Sequence, residues 1–279
     1  MDIIMRNAKY IFLLLLFVNQ QAFAQKDSIL KISLVKTIHE NAVDFTTDNL
    51  GNIYILGVTN QIKKLNNKGD SIAVFNDVRR YGKIFSIDAT NPLKLLVYYK
   101  EFSTILILDR LLNVRNSIDL RKQNILQAKA VTSSYDSNIW LFDELENKLK
   151  KIDDNGKVLL ETPDFRQIFK EAPSPSIIYD RDGLVYLYDS ARALTTFDYY
   201  GARKNNFKLK GISDLQVMDK NTILGRVNSD IIMVKPATLQ QFMFRLQSPL
   251  PAFRKMNFNN NHFYVLTRDG NIEMYNMPS

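Results

Sequence analysis

Two histidines, His39 and His262, and a recurring set of aspartates are the residues here whose types could bind metal or move protons. Asp143, Asp189 and Asp269 each follow an aliphatic-aromatic run, so equivalent carboxylates could ring a calcium ion. Aspartate at such positions also closes turns without any ligand. There is no cysteine, which removes thiolate chemistry and disulfides together. Serine-hydrolase elbows, HExxH pairs, P-loops and EF-hand loops are all missing, so no cofactor is implied and no catalytic residue stands out. The second class of candidate is cationic and aromatic. Arg79, Arg80, Tyr81, Lys100, Phe102, Arg121, Lys122, Phe165, Phe169 and Arg192 fall in short non-periodic segments. Arginine and aromatic side chains on loops suit a protein-binding surface.

Those loops need a scaffold, and the scaffold is repetitive. "DNLGNIYIL" (48–56), "YDSNIWLFD" (135–143) and "DRDGLVYLYD" (180–189) share a turn signal followed by an alternating strand. The strand after each also recurs. "NQIKKLNNKGDSIAVF" lies over "NKLKKIDDNGKVLLE" at an offset of 87, and "ALTTFDYYG" follows at 45. An offset of 87 holds two periods, and the intervening copy is "LKLLVYY" with "STILILD". Weaker copies occupy 221–235 and 261–276. A strand-like run precedes every copy, and a fourth run follows in all but the last.

Four short strands in each repeat of about 40 residues, six times over, predict an all-β, six-bladed β-propeller. "LKISLVKTI" (30–38) is a spare strand able to complete the sixth blade and close the ring, which would hide an exposed edge. A meandering sandwich would use the same strands in two layers. In the propeller, Tyr54, Trp140 and Tyr186 pack between blades as scaffold. His39 would end the outermost strand of the closing blade and His262 begin a strand parallel to it, so the two sit on opposite faces and share no ligand. The turns between second and third strands and the blade-to-blade connections share one face, which collects the cationic and aromatic residues above. The longest connection, "PDFRQIFKEAPSP" (163–175), predicts a short helix capped by Asp164, ended by Pro173, with Phe165, Ile168 and Phe169 as its apolar stripe.

Residues 1–24 read as a secretory signal peptide: Arg6 and Lys9, an apolar run from Ile11 to Val18, then Ala22-Phe23-Ala24. No second long apolar run follows, so the expected product, residues 25–279, is a single domain that does not itself span a membrane. Export without cysteine fits a bacterial periplasm, and export makes nucleic acid an unsuitable partner despite a formal net charge of +8.

"DNLGNIYIL", "DRDGLVYLYD" and "IDDNGKV" resemble blades of NHL- or YVTN-type six-bladed propellers over 28–279. That resemblance implies a fold and little about function, since such propellers host lyases, lactonases, receptors and scaffolds. The leader and style resemble exported propellers of Bacteroidota, among them the plug subunit of the type IX secretion translocon. The function so implied is a non-catalytic periplasmic protein-binding module whose partner is a cell-envelope protein, an outer-membrane translocon or barrel. Two alternatives stand beside it: a small-ligand or glycan-binding propeller, whose channel should carry convergent polar groups, and a metal-dependent hydrolase or lyase, needing several inward carboxylates.

Overall fold

The computed structural model describes residues 26–259 and 262–277; the expected signal peptide lies outside the described residues. Each repeat is a four-stranded antiparallel meander. After β1 (Lys26–Leu30) and β2 (Ser33–Ile38), blade one is β3 (Ala42–Thr47), β4 (Ile53–Gly57), β5 (Ile62–Leu65) and β6 (Ser71–Phe75). Blade two is β7 (Ser86–Asn91), β8 (Lys94–Tyr99), β9 (Thr104–Leu108) and β10 (Val114–Asp119), and blade three is β11 (Ala128–Ser133), β12 (Ile139–Asp143), β13 (Lys148–Ile152) and β14 (Val158–Glu161). Blade four comprises β15 (Ile177–Arg181), β16 (Leu184–Asp189), β17 (Ala193–Phe197) and β18 (Arg203–Phe207). Blade five comprises β19 (Ser213–Asp219), β20 (Thr222–Val227), β21 (Asp230–Lys235) and β22 (Gln240–Leu246). Blade six has β23 (Phe253–Asn259), β24 (His262–Thr267) and β25 (Ile272–Asn276), with β2 as its fourth strand. The first strands neighbour one another around a central channel, and β23 returns to β3.

What joins the blades is apolar. Six buried clusters fill the six seams, because alternate side chains of each pleated strand leave on opposite faces and each face needs a neighbour. Tyr54, Trp140 and Tyr186 are buried there as the repeat predicts. The hairpin turn Asp182-Gly183 has positive φ at both residues (50° and 85°), the geometry that matches strand twist. The turns leading into fourth strands share another device. The side-chain oxygens of Asn66, Asp109, Asp153 and Asp198 accept from the N–H groups two and four residues on. Three of these turns place glycine in the left-handed region, whereas blade two places Leu112 there at φ 63°.

Two expectations need correction. The spare strand is two strands: β2 pairs antiparallel with β25 and closes blade six as foreseen, but β1 pairs parallel with β22 and makes blade five five-stranded. Leu30 and Ile32 drop into the seam between blades five and six, so the chain changes blades there. "KDSIL" carries no alternation that would have betrayed a strand. The second correction concerns the long connection. Its helix covers only Phe165–Ile168, with Asp164 capping it by accepting from the Arg166 N–H (2.9 Å), and it ends well before Pro173. Phe165 is fully buried, stacked on Phe197 at 5.1 Å, and Phe169 folds back on Phe165 at 5.3 Å. With both rings in the seam between blades three and four, the backbone turns extended at Phe169.

A polar knot braces that same seam. Asp180 is buried and accepts from Trp140 Nε1 (2.9 Å), Ser134 Oγ (2.8 Å), the Tyr135 N–H (3.2 Å) and Tyr199 Oη (2.7 Å). Beside it, the Lys151 ammonium sits over the rings of Trp140, Tyr135 and Tyr199 at 5.1 to 5.8 Å and donates to Asp136 at 2.6 Å. Burial alone would raise Asp136, but hydrogen bonds from Lys151, Ser134 and Asn138 draw it down to about 2.

Asp180→Ala should cost about 3 kcal/mol in denaturant unfolding, because it orphans four donors at once, while Asp180→Asn keeps part of the acceptor set and should cost less. The Asp136–Lys151 pair gives stability that is complete above the ordinary aspartate value of 3.8 and is lost as pH falls toward about 2. Thermal unfolding from pH 5 to 2 should therefore flatten in Asp136→Asn over that window. Removing residues 26–38 uncovers β25 and β22, and size-exclusion chromatography should show aggregates where the full product is monodisperse.

Candidate functional site

In a four-stranded meander the second-to-third turns and the blade-to-blade connections emerge on one face, and every predicted loop residue belongs to that face. Several are already engaged within the fold. Arg121 forks onto the Asp119 carboxylate at 2.9 and 3.1 Å, which holds Asp119 below the usual carboxylate range. Arg192 donates to the Ala172 carbonyl (2.5 Å) and reaches Asp189 and Glu171 at 3.3 and 3.6 Å. Tyr81 is half-buried against Tyr99, with the Arg80 guanidinium 5.2 Å from its ring. Phe165 is core, so it offers no surface to a partner, and Phe169 is half-buried beneath Arg203. The side chain of Arg79 lies outside the described residues. Lys122 is exposed, and Phe102 is 44% exposed where its ring covers Gly82.

Three apolar residues that the sequence reading passed over join Phe102. Phe85, Leu126 and Leu145 are 49%, 56% and 52% exposed on the same face of blades two and three. They are tied into one surface. Ser103, next to Phe102, donates to the Leu126 carbonyl (2.5 Å), and the Glu144 N–H donates to the Gln127 carbonyl (2.9 Å). Lys100 spans the gap, 5.1 Å over the Phe85 ring and 3.8 Å from Glu144. Each residue stands at a strand end or in a connection, where a lone hydrophobe reads as the edge of a strand.

The channel is the second concavity, a cavity of about 360 Å³ lined by all six first strands. At one register level, opposite Tyr54, Leu96, Trp140, Tyr186, Leu224 and Tyr264 of the neighbouring strands, stand Thr46, Asp88, Thr132, Tyr179, Gln216 and Asn257. All six are polar. Asp88 accepts from the Ser133 N–H (2.5 Å), Gln216 Oε1 from the Phe258 N–H (2.5 Å), and Asn257 Oδ1 from Thr47 Oγ1 (2.7 Å). Each of these three therefore hands an oxygen to the same relative position of the next blade. Above that level, Asp44 pairs with Lys255 at 2.6 Å. Burial holds the Tyr179 phenol above its ordinary value; Arg181 opposes this, while Asp88 and Asp214 add to it.

Among the described residues no three of His, Cys, Asp and Glu side chains converge on a common point. Asp143 is buried, accepts from the Leu145 and Glu146 N–H groups (3.1 and 3.2 Å) and pairs with Lys150 at 2.8 Å, and Asp189 accepts from the Ala191 and Ser174 N–H groups (3.0 and 2.9 Å). Both are turn and seam residues. His39 follows β2 and His262 opens β24, at opposite ends of parallel strands.

No family model and no curated protein sequence matches the chain. Solved structures do. It is similar to a streptogramin B lyase at TM-score 0.59 and 15% identity, over 84% of this chain and 78% of that one. A catalytically inactive virginiamycin B lyase from Staphylococcus aureus with quinupristin superposes at TM-score 0.57 and 14% identity, over 88% of each chain. The Cps50 (Swd1) β-propeller domain of Myceliophteria thermophila gives TM-score 0.60 at 8% identity, covering 88% of this chain and all of that one. At such identities the likeness is one of fold: the chain is a six-bladed β-propeller.

Proposed function

We propose that this propeller is a non-catalytic, periplasmic protein-binding module that docks on a cell-envelope assembly, with the outer-membrane translocon of type IX secretion as the first candidate. The observation that carries the reading is the surface formed by Phe85, Phe102, Leu126 and Leu145, with Lys100 crossing it and Lys83 and Lys122 exposed on the same face. Four exposed large hydrophobes joined through hydrogen-bonded loops form a preordered patch, so docking costs little loop entropy. The lysines would steer an acidic partner toward it. The leader pattern and the resemblance to exported propellers supply the compartment and the candidate partner. The similar lyase structures supply the competing reading, which would need a convergent acid, base or metal set.

Affinity purification of the C-terminally tagged protein from its native envelope in mild detergent should recover an outer-membrane protein in stoichiometric amount. Phe102→Asp and Leu145→Asp, both exposed, should leave thermal unfolding within a few degrees and cut that recovery at least about tenfold. Recovery of the propeller alone at low as well as high salt would sink the reading.

A further inference from the structure

The polar level inside the channel has an asymmetry that the docking face does not explain. The Phe258 N–H can only donate, so the amide of Gln216 must turn its oxygen toward it, leaving the Nε2 hydrogens without a partner among the described residues. Asn257 is more than nine-tenths buried, accepts from Thr47 through Oδ1, and leaves its Nδ2 hydrogens likewise unclaimed. Both residues line the cavity on adjacent blades. Arg181, on the blade before them, also lines it, and no hydrogen bond or ion pair engages its guanidinium among the described residues. Three consecutive blades thus each present an unclaimed donor to the cavity. The channel's carboxylates, by contrast, each already accept from a neighbouring blade or turn through one oxygen. Asp88 accepts from the Ser133 N–H, Asp214 from the Met256 N–H and Arg226, and Asp44 from Lys255.

We infer that the channel is a binding site for a small hydroxylated monocarboxylate of sugar-acid size. The carboxylate would take the planar fork of Arg181, and the unclaimed amide hydrogens of Gln216 and Asn257 would meet the ring and hydroxyl oxygens. Hydroxyl groups also donate, and the Asp44–Lys255 pair, partly open to the cavity, offers both polarities to them. A polyanion is a poor fit, because Asp44, Asp88 and Asp214 stand in the same walls as Lys255, Lys129 and Arg181. The cavity, about 360 Å³, is at the small end of ligand pockets and admits one sugar acid with a few waters.

The cavity touches the docking patch at Phe85, but Arg181, Gln216 and Asn257 lie outside that patch, so the test does not depend on finding a partner protein. Glucuronate is the probe and glucose the neutral control, read by calorimetry and by ligand-observed NMR on the full mature chain. Glucuronate should bind with a dissociation constant near or below about 1 mM, at least about tenfold tighter than glucose. Arg181→Gln deletes the charge of a side chain that holds nothing else in place, and should weaken glucuronate about tenfold or more. Gln216→Glu keeps an oxygen for the Phe258 N–H but puts a carboxylate where the amide hydrogens were, so it should abolish binding with thermal unfolding unchanged. Failure of glucuronate to bind up to about 10 mM, equal affinity for glucose, or full affinity in folded Arg181→Gln would each overturn the inference.

Discussion

A single blade cannot exist alone, and that constraint governs the rest of the molecule. Its strands are apolar on both faces: β8 is buried at every position and β9 as well, because one face meets blade one and the other meets blade three. Each seam is therefore half of two blades, and leaving any seam open exposes a sheet of aliphatic and aromatic side chains. The ring must close. Closure falls to β2, which pairs with β25 near the other end of the chain, so the most non-local pairing in the fold is also the one that completes its last blade. Pairings of such separation form late, after the loop-closure cost has been met.

At four of the six seams the inner end adds a second layer of joining. Asp88, Gln216 and Asn257 reach to the following blade at one shared position, and Tyr179 Oη donates to the Leu215 carbonyl across the next seam. Such hydrogen bonds are directional where the apolar seams are not, so they fix the rotation of one blade on the next. The cost is that most of the channel's oxygens become structural. What remains free is decided by which atom of each side chain the neighbour takes.

The architecture was legible because it is periodic. Two-residue alternation, Asp-Gly turns and an interval of about 42 residues recur often enough that the weak copies at 221–235 and 261–276 could be placed by arithmetic. The site was much less legible. Arg121, Arg192 and Phe165 look like partner anchors in a one-dimensional reading, yet Asp119, Asp189 and Phe197 claim them. The claim by Asp119 is local and could have been suspected from a two-residue spacing; that of Phe197 crosses a seam and could not. The strand β1 was hidden for a related reason: a parallel edge strand needs no alternating pattern, and its Ile29 stands exposed while Leu30 packs partly buried in the seam. Gln216 and Asn257 were invisible because an amide in a strand carries no signal until its five counterparts are seen at one level.

The same logic separates structural charge from functional charge. An ionisable side chain whose partner lies in the same turn or seam has already spent its specificity, as Asp143 has on Lys150 and Asp180 on Trp140 and Tyr199. Lys151, enclosed by three rings and Asp136, is a cation the fold has caged for itself. A propeller built from tied charges can present function only where the tying stops. On this molecule that happens at the loop face of blades two and three, where apolar side chains stand exposed among lysines, and inside the channel on blades four to six. The two places meet at Phe85 and use opposite chemistry, apolar area in one and unclaimed donors in the other. A rigid ring lets both persist, since neither can collapse onto the other to satisfy itself.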